Sequence, residues 1–235
     1  MNFDVNFDHR IDSAGNDPDT HSPTLKQQHI QLWSKPLPDG TVFELKPETN
    51  KYLIHDSHLG LFHISSDTIS HSLREQSKMK HVIEQIPSES LDHFQSVGSV
   101  IGARIIFPGN RIDGHTTINQ MRGMHSKIND RFDLTLECIR LHYLNQSSPL
   151  EDVLNRYSDF FQLFKDFRNY VEFFLLQDLV SADFQTVNFF LTHEANFESS
   201  PLPATVELYN QYMSRTIEFV QARNNRIQDW VDHNL

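Results

Sequence analysis

The stretch RIDGHTTINQMRGMHSKINDRFDLTLECIRLHY, residues 111–143, concentrates more ionisable and hydrogen-bonding chemistry than any other part of the chain. Arg111, Arg122 and Arg131 each carry a planar guanidinium whose paired N–H groups match the oxygens of a carboxylate or phosphate. His115 and His125 exchange a proton near neutral pH, which suits general acid or base work. Asn119 could orient a bound group, and Asp113 or Asp130 could orient a histidine or hold Mg²⁺. Gly109, Gly114 and Gly123 permit tight turns and close approach of backbone to a ligand. These are the parts of an anion-handling pocket, most naturally for a phosphate-bearing small molecule such as a nucleotide. In that reading Arg111, Asn119 and Arg122 grip the anion, His115 or His125 is the acid or base, and Asp130 and Arg131 support them at a helix start.

A structural reading competes with it. Asp133, Glu137 and Arg140 fall on one face of a helix and can pair with one another. Arg122, Arg131 and Asp113 could equally fasten a loop to the acidic residues 4–19, and buried ion pairs fix a fold without any chemistry.

The elements that must position this segment are a strand before it and helices after it. VGSVIGARIIFPG predicts a buried strand over Val100–Phe107, halted by Pro108 and Gly109. DRFDLTLECIRLHY predicts a helix capped by Asp130 and apolar on most sides. Upstream, KPLPDGTVFEL offers a turn and then a strand over Thr41–Leu45, while KYLIHD and LGLFHISS read as a hairpin turning at Ser57 and His58. Residues 68–86 carry a loose helical spacing. Downstream, SSPLEDVLNR has the signature of a helix start, with Ser148 as cap, Pro149 first and Glu151 closing a capping box. FRNYVEFFLLQDLV predicts a central core helix, VNFFL a short strand or buried loop, and Ala204–Val231 a long closing helix. Residues 1–29, rich in Asp, Asn and Ser, are expected to run as an extended acidic arm. The expected class is therefore α+β. One domain spans 30–235, mainly β over 30–110 and mainly α over 111–235, with a small antiparallel sheet packed on the helices.

Composition narrows the function. A net charge of −11 over 235 residues argues against extended nucleic-acid binding, which needs clustered cations. A single cysteine, Cys138, excludes an internal disulfide and fits a reducing cytoplasm. The N-terminus lacks the pattern of a secretory signal, and the most apolar run, Tyr170–Val180, is too short to span a bilayer, so no membrane association is expected. No Gly-rich phosphate loop, no G-x-S-x-G elbow and no H-E-x-x-H occurs. Asp12, Asn16, Asp17 and Asp19 surround Gly15 without the regular ligand spacing of a calcium loop. His55 and His63 form a possible metal pair with no third ligand in view, the basis of a minor hydrolase reading. Cys138 reads as core. The aromatic run YSDFFQLFKDFRNYVEFF carries too few interleaved cations to stack single strands. The alternative to a ligand site is a non-catalytic protein–protein interaction module, with a homodimer formed by the closing helix if Tyr212, Phe219 or Trp230 stands exposed. No cofactor is indicated.

The blocks SPTL, LWSKPLPDG, IIFPG, TINQMRG, DRFDLTLECIRLHY, FFLLQDLV and ARNNRI together resemble a family of uncharacterised bacterial proteins. The resemblance runs from Phe3 to Ile227 and is most specific at TINQMRG followed by DRFDLTLECIR. It implies a free-standing bacterial cytoplasmic protein and transfers no catalytic role.

Overall fold

The computed structural model describes residues 3–48, 52–74, 76–192 and 197–235. Lys51 and Glu75, which fall in the expected hairpin and helix, lie outside the described residues.

Four strands form one antiparallel sheet in chain order: β1 (Lys46–Pro47), β2 (Leu53–Ser57), β3 (Gly60–Thr68) and β4 (Arg104–Pro108). The β2–β3 hairpin forms as the alternation predicts. Its register sets His55 opposite Phe62 and Ile54 opposite His63. Because successive residues of a strand face opposite sides, His55 and His63 are separated by the sheet. His55 is buried against the Phe43 ring at 4.0 Å between centroids, whereas His63 bonds to Glu48 on the other side. The expected metal pair does not assemble, and no group of three metal-ligating side chains occurs among the described residues.

The N-terminal segment differs from the extended arm. Residues 3–17 run through turns, but α1 (Pro18–His21) and α2 (Pro23–Trp33) follow. Each has proline at its first position and a capping side chain, Asp17 and Ser22. Proline there loses no needed N–H and is preset for helix, so D-P and S-P are start signals that the acidic composition obscures. Asp12 accepts from Ser22 Oγ at 2.5 Å and from Thr24 N at 2.9 Å, which accounts for its carboxylate without a cation. Thr41–Leu45 forms no strand and contributes only a Val42–Pro36 bridge. Within 68–86 the helical part is limited to the 3₁₀ turn Ser77–Met79 and α3 (Lys80–Ile83), after which α4 (Ser88–Val97) leads into β4 through the 3₁₀ turn Ile101–Ala103.

The second half is mainly helical as expected: α6 (Phe132–Tyr143), α7 (Glu151–Arg156), α8 (Ser158–Gln162), α9 (Phe167–Phe173) and α10 (Val206–Asn234) follow α5 (Ile118–Met124), which forms where the sequence leads to no expectation of a helix. Helix α6 is buried from Phe132 to Ile139, so its two apolar stripes do close around the axis. Its cap is Arg131 rather than Asp130, because Asp130 takes a left-handed φ of 59° that lies outside the cap conformation. Ser148 does not cap α7, which begins later behind Leu150. The predicted core helix stops at Phe173, and Leu175 at φ 54° turns the chain into the 3₁₀ turn Gln177–Leu179. The VNFFL stretch is irregular apart from a Val187–Val180 bridge.

The core between sheet and helices is aromatic. Phe43, Phe160, Phe164, Phe173 and Phe174 pack with Trp33 and Tyr170 at tilted and edge-on angles, arrangements that suit ring quadrupoles. Helix α10 closes the molecule through Arg223. That side chain is fully buried and donates to the carbonyls of Phe174, Gly102 and Arg104 at 2.7–3.2 Å. Burial pulls its pKa down, to about 9, which leaves it cationic at neutral pH. Beside it, Asn224 Oδ1 accepts from Gly102 N at 2.8 Å, so the backbone leading into β4 is satisfied by helix side chains.

Candidate functional site

The cations of 111–143 are not held together as one open pocket. Arg122, on α5, is fully buried between the Phe107 and Phe132 rings. Its guanidinium pairs with Asp67 and donates to Thr135 Oγ1 at 3.0 Å, Thr68 O at 3.3 Å and Asp130 O at 3.4 Å. Arg131 is likewise buried, forked onto Asp133 with Nη1 donating to Pro201 O at 3.1 Å. Asp133 also accepts from Phe190 N at 2.8 Å. Glu137 pairs with Arg140 as the helical spacing predicts. Asn119 donates to Ser65 Oγ and Ser66 O. Arg111 and His115 are exposed, and His125 accepts from Lys127 N at 3.3 Å, its pKa lowered by burial and then by Lys127. Arg122 and Arg131 are thus occupied by the protein's own oxygens, whereas Arg111 stands exposed apart from them. The two buried arginines tie α5 and α6 to β3 and to the segment before α10.

Polar chemistry facing solvent collects one layer away, in a cleft of about 490 Å³. Its walls are Arg10 and Asp17–Asp19 from the N-terminal segment, Thr68 to Arg74 after β3, and the end of α4 from Phe94 to Ser99; Arg104, at the start of β4, also lines it. Thr68 pairs with Arg104 across the sheet, which fixes the register of two cleft residues. The Arg104 side chain is only 6% exposed and pairs through Nη1 with Asp19 Oδ2 at 2.6 Å. Its Nε is buried without a partner, and its guanidinium forms no other hydrogen bond among the described residues. A donor left unsatisfied in this way costs about 1–3 kcal/mol. Arg74 is exposed and makes no hydrogen bond or ion pair among the described residues. Arg10 reaches the cleft while forked onto Asp8.

The cleft is backed by a polar network. Asp19 Oδ1 accepts from Ser66 Oγ at 2.6 Å, which in turn meets His29 Nε2 at 3.1 Å, and Trp33 Nε1 donates to His29 Nδ1 at 3.0 Å. His29 is fully buried, and its pKa lies well below the ordinary value, first through burial and then through the cations of His9 and Arg104. His9, with Nε2 against Gln28 Oε1 at 2.7 Å and its backbone N–H donating to Ser99 O at 3.0 Å, docks the N-terminal segment against the cleft. Behind β3, burial pushes the Asp67 carboxyl up, to about 6, against the opposing pull of Arg122.

His71 lines the cleft. Its Nδ1 accepts from Leu73 N at 3.1 Å, so the proton of the neutral ring sits on Nε2, which faces Asp130 Oδ2 at 3.7 Å. Asp130, expected to orient a histidine of its own segment, stands beside His71 instead. The loop is held from behind by α10: Tyr209 and Tyr212 hydroxyls donate to Ser72 O at 2.6 Å and His71 O at 2.8 Å. Gly98 keeps the α4 wall close, since a Cβ there would lie 2.5 Å from Ser70 Oγ. Tyr212 and Phe219 are buried, so α10 carries no exposed aromatic stripe for a partner, and Trp230 is half-buried.

All three cleft arginines, Arg10, Arg74 and Arg104, lie outside the segment that sequence reasoning favoured. The available signal was Arg104, the one charged residue in VGSVIGARIIFPG. A lone guanidinium in a buried strand must either meet a carboxylate or face a cavity.

This arrangement defines an α+β protein with a polar cleft, lined by three arginines and two aspartates, at the junction of its N-terminal segment and sheet. Residues 3–227 match the family of unknown function DUF6994, and the chain belongs to that family. No curated protein and no solved structure matches the chain. No described helix is long and apolar enough to cross a membrane.

Proposed function

We propose that the cleft over Arg104 binds a small phosphate-bearing molecule, with Arg74 and Arg104 as its anion ligands and His71 as the group positioned to exchange a proton. The observation that carries this reading is Arg104: a buried guanidinium at the cleft with one carboxylate partner and an unpartnered Nε. Most of the chain is acidic, yet Arg10, Arg74 and Arg104 gather here against Asp17 and Asp19. The hydroxyls of Ser70 and Ser72 add uncharged donors at the same place, while those of Thr68 and Ser99 are donated to Ala103 O and Gln95 O. Such a combination of fixed cation, mobile cation and hydroxyls suits a tetrahedral oxyanion. The single aromatic wall, Phe94, is almost wholly buried and offers no flat face to a base, which favours a small phosphorylated metabolite over a nucleotide.

Thermal unfolding tests this with inorganic phosphate, pyrophosphate, a sugar phosphate and ATP. A ligand at a hundred times its dissociation constant adds about 2.7 kcal/mol. For a chain of this length that raises Tm by about 5–10 °C. Arg74→Ala, at an exposed position, is expected to abolish the shift while leaving the unliganded Tm unchanged. No shift with any of the four compounds, or a shift retained in Arg74→Ala, refutes the reading.

A further inference from the structure

Lys35, just beyond α2, has an environment that neither the sheet nor the cleft requires. Its backbone is ordinary: N donates to Trp33 O at 2.8 Å and O accepts from Phe43 N at 2.9 Å. The side chain turns inward. Nζ lies 5.0 Å from the Trp33 ring centroid, 4.7 Å from Phe173 and 5.1 Å from Trp230. It makes no hydrogen bond or ion pair among the described residues. Three rings have replaced most of the water of an amine that ordinarily seeks a carboxylate or solvent.

The charges facing Nζ do not supply one. From α10, Arg223 stacks on Trp33 at 5.7 Å and repels a second cation. From α9, Glu172 borders the same space and pairs through Oε1 with Arg168 Nε at 2.8 Å rather than with Lys35. At the mouth, Lys165 donates to Pro38 O. Burial, and then Arg223, pull the Lys35 amine down to about 7. The ring faces oppose this by attracting the ammonium, so the site holds the amine near balance between its two forms.

Lys35 also lines a second cleft of about 270 Å³, which it shares with Phe173 of the ring cluster and with Pro36, Pro38, Asn169 and Glu172. The cleft is below the span of about 300–1,000 Å³ typical of drug-sized pockets, and so admits only a small molecule. We propose that Lys35 is a reactive amine that forms an imine with a small aldehyde entering this cleft. The Nζ lone pair makes the new C–N bond, and the carbonyl π electrons move to oxygen, which takes up a proton. The carbinolamine then loses that oxygen as water, so each bond formed releases one water and no oxidant or reductant is used. The product is an iminium, a cation in the place of the ammonium, and the three rings hold it by the same attraction. An acyl adduct would be a neutral amide and would forfeit that attraction, which is why the box selects a carbonyl partner. The site lies apart from the Arg104 cleft and does not depend on it.

The test uses the full chain with propanal and cyanoborohydride, which fixes each imine as a propyl amine, followed by peptide mass spectrometry. An amine of pKa 7 is half neutral at pH 7, whereas one of ordinary pKa is neutral in about one molecule per 2,500. Lys35 is expected to be alkylated at least tenfold faster at pH 7 than the exposed Lys46 and Lys80. Its rate should level off above about pH 8 while theirs keep rising. Trp230→Ala admits water to the box and is expected to bring Lys35 down toward their rate. The pH profile of the unmutated chain decides the matter should that variant not fold. A Lys35 rate no greater than that of Lys80, or a pH profile that follows Lys80, overturns the proposal.

Discussion

Arg122 separates a structural cation from a ligand-binding one. Replacing it by Met keeps an unbranched chain between the Phe107 and Phe132 rings but removes every donor. Asp67, Thr135 Oγ1, Thr68 O and Asp130 O are then left short of a partner in a buried setting. Removing one member of a buried ion pair costs about 3–5 kcal/mol, mostly as the penalty of the stranded charge. For a chain of this length the loss corresponds to a fall in Tm of about 10 °C. The stranded carboxylate makes the loss depend on pH. Asp67 already has its carboxyl pushed up to about 6, and without the guanidinium it rises further. The destabilisation is therefore smaller at pH 5, where Asp67 is protonated, than at pH 8, where it is charged. Adding Asp67→Asn to Arg122→Met should restore part of the loss at pH 8. Urea unfolding followed by circular dichroism at the two pH values reads all of this, and the phosphate-induced thermal shift should survive in Arg122→Met. A loss below about 1 kcal/mol, together with a vanished phosphate response, would show that Arg122 serves a ligand after all.

Three further outcomes follow from packing and titration. Gly102→Ala would place a Cβ 2.7 Å from Val220 O and closer still to Asn224 Oδ1; overpacking of that kind costs about 1–3 kcal/mol, and a neutral result in chemical denaturation would contradict the closeness of α10. Tyr212→Phe removes the donor to His71 O; it should cost about 1 kcal/mol and weaken phosphate binding, measured by calorimetry, whereas unchanged affinity would mean that the loop holds itself. His29 must stay neutral, since Nδ1 already accepts from Trp33 and its folded pKa lies below the unfolded one. Its contribution is complete above about pH 6.5 and is lost as pH falls below that, at up to about 1.4 kcal/mol per pH unit. His29→Leu should flatten the acid limb of the stability curve, and an identical slope in both proteins would refute the assignment.

What the sequence made legible followed local rules. The β2–β3 hairpin, the enclosed helix α6 and the long helix α10 each rest on periodicity within one segment, and each forms. What it concealed depended on partners far along the chain. Arg122 reads as a ligand-gripping cation until Asp67, 55 residues away, is seen beneath it. Arg131 has Asp133 two residues on, yet its third bond goes to Pro201, 70 residues away. The cleft joins Arg10, Asp19, His71, Gly98 and Arg104, which share no spacing pattern. Helix α5 was missed for a different reason. Thr117 and Gln120 form a complete capping box, but the glycines around them suggested a loop.

Arg223 bears on how the chain reaches this state. Its bonds to Gly102 O and Arg104 O span 121 and 119 residues, and they close the backbone at the start of the last strand from within the last helix. Long-range closures of this kind are entropically costly and slow. The sheet therefore gains its final fastening only once the C-terminal helix has emerged and docked. A nascent or truncated chain ending before residue 223 would leave those carbonyls unpaired and the strand edge open to other chains, so maturation and resistance to aggregation converge on a single late event.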